Sequence, residues 1–380
     1  MRISAIGIAW NDIYLRTRLW LRVISRLGIF TILRWKMHLW LPDYVARLAA
    51  AAPSCSGVRH VMFVFVDHYE PGSGERGAEI NRKWLENYRF LADRHRDSYG
   101  RKPQHTWFYP YDQQNDAVMP DLVQAVGDGY GEIEFHLHHS HDTDSSFTQK
   151  MGRGLKWFNS YGAMIDEKGR VAFGFVHGNW SLDNSRGAKF CGVARELEIL
   201  KKCGCYADFT FPAFGEKAQP RKVNSIYYAR QGATCKSYDR GADACVGKLN
   251  HEDLMIFQGP LNLDDYGAVE SFNLPTPRKI DSWIESDIHV KGRPEWVFVK
   301  VHTHGTQSGR IFVSEVDEML SHLEARYAAG DFRLHYVTAR EAYNIVIAAE
   351  DGKTGDPDTY LDYAIAPPLN RTVGFTHITG

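Results

Sequence analysis

The stretch Glu132-Ile-Glu-Phe-His-Leu-His-His-Ser-His-Asp142 sets four histidines and an aspartate within seven residues, at the end of a strand-like run. Strand alternation sends Ile133, Phe135 and Leu137 to one face and Glu134, His136 and His138 to the other. Past the strand end, His138 and Asp142 stand four apart, so both can reach one ion if a helical turn follows. Neutral imidazoles with a carboxylate suit zinc or a similar divalent ion. Packing alone gives little reason for so many histidines on an otherwise apolar strand.

Outward from that stretch, short apolar or alternating runs recur at His60–Asp67, His105–Tyr109, Val171–His177, Tyr206–Phe211, Leu254–Phe257, Glu295–His302 and Phe332–Val337. Helical patterns at Ala78–His95, Asp116–Val126, Cys191–Cys203, Glu315–Ala328 and Thr338–Glu350 lie between or after several of them. Strands alternating with helices predict a parallel sheet. Asp67, His138, His177 and His302 all fall at carboxyl ends of different strands. An open sheet concentrates its site at one switch point, whereas a barrel gathers residues from many strands at one face. The expected fold is therefore α/β, a (β/α) barrel spanning 56–350, with a basic amphipathic helical region at 1–55 and a C-terminal tail at 351–380. Residues 212–253 and 258–290 are long and rich in Gly, Pro, Asp and Asn, and are expected to be loops over the site.

Three more strand ends carry chemistry. Phe63-Val-Phe-Val-Asp-His-Tyr-Glu-Pro71 ends abruptly in Asp67, His68 and Glu70. Val297-Phe-Val-Lys-Val-His-Thr-His-Gly305 ends in His302 and His304, which share a face if the strand continues. A histidine there is suited to protonate a leaving amine or alcohol near neutral pH. Phe175-Val-His-Gly-Asn-Trp-Ser-Leu-Asp-Asn-Ser-Arg186 offers His177, Asn179, Trp180, Asn184 and Arg186 for sugar recognition, with Glu70 and His136 beside them. Gly72-Ser-Gly-Glu-Arg-Gly77 matches a dinucleotide-binding glycine pattern, but Glu70 and Pro71 separate it from the tight strand-to-helix turn that pattern needs.

A net charge of −1 excludes a dedicated nucleic-acid binder. Six cysteines in 380 residues are too sparse for a disulfide framework. Cys203-Gly-Cys205 lacks the two-residue spacing of zinc ribbons, so buried apolar cysteines are expected. With no small-residue cleavage site near the start, the expected location is cytoplasmic. Residues 1–50 nevertheless hold eight basic side chains against two acidic ones. Arg18, Arg22 and Arg26 fall on one side of a helix, and Ile13, Trp20, Ile24 and Leu27 on the other. Packing on the main domain is one reading. The other is peripheral contact of residues 10–41 with the inner face of a membrane, interfacial because no apolar run is long enough to span.

Strand-end Asp, a histidine cluster after Gly-Glu-Ile-Glu, the turn Phe211-Pro-Ala-Phe-Gly215 and a late strand ending in His302: this order, over roughly 58–350, resembles the polysaccharide deacetylase (NodB-homology) superfamily, as a divergent member. The family's Thr-Phe-Asp-Asp motif corresponds to Phe65-Val-Asp-His68. The resemblance implies a distorted, seven-stranded barrel and a divalent metal ion, zinc by its ligands. Asp67 would be the general base, and His302 with its neighbour His304 would supply the acid. His68, His138, His139 and Asp142 would form the ligand set, with His136 a further candidate. The family's supporting turn carries an arginine that this chain lacks, so Arg186 or Arg221 would have to partner Asp67. The implied activity is removal of an acyl group from a carbohydrate, in surface polysaccharide biosynthesis. The alternatives are a metal-dependent glycoside hydrolase or other C–N hydrolase, and a non-catalytic glycan-binding or assembly protein.

Overall fold

The computed structural model describes residues 17–18, 20–49, 57–263, 265–307 and 311–372. Ten strands form one sheet: β1 (Arg59–His68), β2 (His105–Pro110), β3 (Gly131–Leu137), β4 (Phe173–His177), β5 (Cys205–Asp208), β6 (Ser225–Ala229), β7 (Ala242–Asp243), β8 (Leu254–Gln258), β9 (Trp296–Thr303) and β10 (Phe332–Tyr336). β1 pairs in parallel with β9 on one edge, and with β10 and then β2 on the other. From β2 the order continues in parallel through β3, β4, β5 and β8, and ends on antiparallel β6 and β7.

All eight strands expected from the sequence are present. β6 and β7 are additional, within the stretch expected to be loop, and they explain why the sheet is open. A closed barrel would need β8 to pair with β9, but β5 and β6 occupy both edges of β8. Non-strand chain fills the gap instead: Val269 N–H donates to His302 O at 2.8 Å, and His302 N–H to Gly267 O at 2.9 Å.

Alternation along the strands generates two cores. On β1, Val61, Phe63 and Phe65 pack against a layer including α3 (Gly74–Ala92) and α8 (Ile311–Tyr327), labelled in chain order after α1 (Ile29–Arg34) and α2 (Leu41–Ala49). The layer also includes α4 (Met119–Gly127), α5 (Asp144–Ser160), α6 (Glu196–Lys202) and α7 (Pro277–Glu285). Met62, Val64 and Val66 face the concave side with Phe108, Phe209 and Phe298. The curl is strong: the Lys300 ammonium on β9 donates to Phe209 O, just past β5, at 3.1 Å.

Helix α9 (Ala339–Glu350) is buried at every residue. Its contacts are with Thr106, Glu132 and Tyr206, each near the amino end of its strand. It therefore closes the amino ends and leaves the carboxyl ends to carry chemistry. A buried ion network fixes it there. Arg340 holds Glu132 at 2.8 Å, Arg101 holds Glu341 at 2.5 Å, and Arg371 from α10 (Leu369–Thr372) contacts both carboxylates. Residues 351–372, read as a tail, pack back here: Leu361 O and Ile365 O accept from Arg340 and Asn344.

The helices α5 and α7 were not expected. Thr143 caps α5 through a reciprocal bond with Ser146, and α7 begins on Pro277, whose fixed φ suits a first turn. At the basic end, Val23, Ile32, Met37, Trp40 and Val45 pack on Val223 and Leu261. Ile13 and residues 10–16 lie outside the described residues. Among the described residues, no helix is long and apolar enough to cross a membrane.

Candidate metal centre

The carboxyl ends of β1, β3 and β9 bring imidazoles together. The His68 ring lies 5.1 Å from His136, 5.8 Å from His302 and 4.7 Å from His304, centre to centre. Trp180, just past β4, stands 6.5 Å from His68 and 6.3 Å from His302. Alternation explains the convergence: His68, His136 and His302 continue the concave faces of their strands.

At the edge of this cluster, Glu70 Oε1 lies 3.3 Å from His136 Nε2 and 3.1 Å from His138 Nε2. The two Nε2 atoms are 3.3 Å apart. Asp112, past the end of β2, receives the His138 backbone N–H at 2.8 Å and lies 3.1 Å from its Nδ1. This carboxylate fixes the ring through Nδ1 and leaves Nε2 facing Glu70 and His136, as carboxylates do behind metal-binding histidines. Gly178 permits the arrangement, because a Cβ there would come within 2.3 Å of the His138 ring.

Adjacent His139 faces away into a second, fully buried cluster. Its Nε2 is 3.0 Å from Glu196 Oε1. His177 Nε2 is 3.6 Å from the same oxygen, and Cys191 Sγ is 3.2 Å from Glu196 Oε2. In each of the sets Glu70/His136/His138 and His139/His177/Cys191/Glu196, the donor atoms lie within 4.8 Å of one another and could hold a metal ion. The ligand set expected from the sequence is thus divided. His138 and His139 belong to different clusters, His68 stands beside the first, and Asp142 stands behind the second, 3.2 Å from His139 Nδ1 and 2.6 Å from Lys150.

Asp67, expected as the base, falls on the other face of β1 and is completely buried. Its Oδ2 is 2.9 Å from His105 Nε2, and its Oδ1 accepts the Gly305 N–H at 2.8 Å. The partner of Asp67 is thus a histidine, not an arginine. Arg186 instead donates to Asn179 O, and Arg221 pairs with Asp239. Asn179 and Asn184 brace their own loop, through His139 O and Gly192 N–H. Of the residues expected to recognise sugar, Trp180, His136 and Glu70 are at the first cluster, while His177, Asn179, Asn184 and Arg186 serve the second or its loop.

Electrostatics separates the histidines. Burial, then repulsion from the neighbouring imidazoles, holds His68 far below the ordinary histidine range, and burial with Lys300 does the same to His302. Burial also lowers His136, against its bond to Glu70. His138 overcomes burial through Asp112 and Glu70 and is pushed up to about 9. His304, bonded to Glu270 at 2.7 Å, is likewise raised against burial. Against burial, His136 and His138 hold the Glu70 carboxyl well below the usual range.

Sequence reading missed Asp112, Glu270, Cys191 and Glu196. Asp112 had a signal, since Tyr109-Pro-Tyr-Asp112 is another strand end with a carboxylate. Glu196 lies within the helical pattern Cys191–Cys203 and Glu270 in an unpatterned stretch, and both meet their partners only through the fold. Compared with known proteins, the chain matches no family model and no curated sequence.

Proposed function

We propose that this chain is a metal-dependent hydrolase that removes an acyl group from a carbohydrate, with Glu70, His136 and His138 holding a divalent ion, zinc by its ligands. The observation that carries the reading is the convergence of that N,N,O donor set, oriented by Asp112, with three further imidazoles and an indole at one end of a parallel sheet. A three-ligand, partly exposed site leaves a position for water or substrate, unlike a closed structural site. When bound, such an ion lowers the pKa of water and polarises a carbonyl oxygen. Trp180 offers a flat face to a sugar ring.

His304 is the residue best placed to move the proton. Its Nδ1 is committed to Glu270, which fixes the ring and stabilises its charged form, leaving Nε2 to protonate the departing amine or alcohol. His302, neutral and buried, is suited to hydrogen-bond substrate rather than to supply the acid. Asp67 supports the site from behind, because the Gly305 N–H it accepts follows His304 directly. The resemblance to polysaccharide deacetylases supports N-deacetylation or O-deacetylation within a curled sheet that works as an incomplete barrel. The test is product analysis on N-acetylated sugar oligomers: the proposal requires acetate, and a new reducing end in its place would identify glycosidic cleavage.

Asp112→Asn is expected to weaken metal affinity about 10- to 100-fold, the usual cost of removing a carboxylate behind a ligating histidine. Competition with a chromogenic chelator measures it, and unchanged affinity would remove Asp112 from the scheme.

The substrate source is consistent with a membrane surface. Arg18, Arg22, Arg26 and Arg34 are exposed alongside Phe30, 85% exposed, and Leu21, 63% exposed. Trp35, which ends α1, stacks on Phe214, Phe214 stacks on Tyr266, and Tyr266 lies near His302, linking the N-terminal region to the site. Sedimentation with phosphatidylserine vesicles, but not with phosphatidylcholine vesicles, is expected. Each surface-bound arginine contributes about 1 kcal/mol, and high salt should release the protein. Equal recovery with both vesicles would refute the electrostatic reading.

A further inference from the structure

We infer that His139, His177, Cys191 and Glu196 form a second metal centre, a closed structural zinc site. It goes beyond the hydrolytic reading and shares no residue with the Glu70, His136 and His138 set.

Two nitrogens, one sulfur and one carboxylate oxygen come from four places: the ends of β3 and β4, the loop after β4, and the first turn of α6. Zinc bonds of about 2.0–2.3 Å in tetrahedral geometry place neighbouring donors about 3.4–3.7 Å apart. His139 Nε2 and His177 Nε2 lie 3.0 and 3.6 Å from Glu196 Oε1, close to that, and Cys191 Sγ lies 3.2 Å from Oε2 of the same carboxylate, with all four donors within 4.8 Å of one another.

Hydrogen bonding alone leaves the cluster incomplete. His177 Nε2 is buried with no hydrogen-bond partner, and its Nδ1 accepts the Asn179 N–H at 3.2 Å, a bond that zinc at Nε2 would replace by putting the ring proton on Nδ1. Glu196 Oε2 is already occupied by the Asp183 N–H at 2.6 Å, while Oε1 faces two imidazole nitrogens. Zinc(II) with one carboxylate and one thiolate is neutral overall, which removes the cost of an isolated buried charge. Asp142 Oδ2 lies 3.2 Å from His139 Nδ1, which makes no hydrogen bond, on the side where carboxylates stand behind zinc-binding histidines. Binding releases the Cys191 proton to solvent as the Zn–S bond forms.

The consequence is mechanical. The four ligands tie the loop 178–195, which carries Trp180, to the ends of β3 and β4. Because His138 and His139 are consecutive, the structural ion would also fix the strand end from which the hydrolytic set is built.

Cobalt(II) substitution of the full chain separates the two centres, since only this one contains sulfur. The cobalt-loaded protein is expected to show thiolate-to-metal charge-transfer absorption in the near ultraviolet. That absorption should be lost in Cys191→Ser and kept in His138→Ala. A hydrolytic set that fails to bind metal would leave this result unchanged. Should Cys191→Ser fail to fold, zinc-edge X-ray absorption of the unaltered chain decides, with sulfur expected at about 2.3 Å. Cobalt-loaded protein without the band, a band that survives Cys191→Ser, or zinc scattering without sulfur would each overturn the assignment.

Discussion

His138→Ala is expected to lower the rate of acetate release by at least about 10³-fold, because losing even one oxyanion donor costs about 10²–10³ in rate. The substitution removes a nitrogen that lies 3.1 Å from Glu70 and 3.3 Å from His136, so the remaining pair is left to hold the ion alone. The ring is partly exposed, at 28% of its side-chain surface, and lies at a strand end, so the fold should survive its removal. Rate and metal content measured on the same sample give the check. A folded variant that hydrolyses at the unaltered rate would exclude His138 from the chemistry.

Arg340→Met is expected to destabilise the chain by about 3–5 kcal/mol, the usual result of removing one partner of a buried ion pair. Glu132 would remain almost wholly buried, with Arg371 as its one remaining cationic partner among the described residues. The pH dependence has a defined sign. Arg340 and Arg371, against burial, hold Glu132 below the ordinary carboxylate range, and Arg101 and Arg371 do the same for Glu341. The unfolded chain therefore takes up these protons first. The stabilisation is fully present above the unfolded value of about 4.3 and is lost as pH falls through the lower folded values. Denaturant melts between pH 3 and 7 should show the variant losing most stability at the upper end, with the gap closing toward acid. An equal deficit at every pH would show that the loss comes from packing instead.

The alternation of strand and helix was legible because β1 and β9 are largely apolar runs with abrupt polar ends, a pattern set by burial on both faces of a parallel sheet, and because β3 alternates strictly. Sheet closure was not, since it depends on β6. Ser225-Ile-Tyr-Tyr-Ala229 is short, lies among turn residues and gains its identity only by pairing with β8. At the site, the histidines announced themselves, but their grouping did not. One residue of register sends His138 toward Glu70 and His139 toward Glu196, and spacing alone cannot show where a strand gives way to a turn. Asp67 was misplaced for the same reason: adjacent to His68 in sequence, it faces His105 on the opposite side of the sheet.

In the proposed function, hydrolysis depends on an ion held by Glu70, His136 and His138. The most direct measurement follows acetate released from N-acetylated sugar oligomers by the full chain before chelation, after chelation, and after zinc is returned. Activity is expected to disappear with the metal and to come back with it, while His136→Ala is expected not to recover. Undiminished acetate release by the metal-free protein would contradict the proposal.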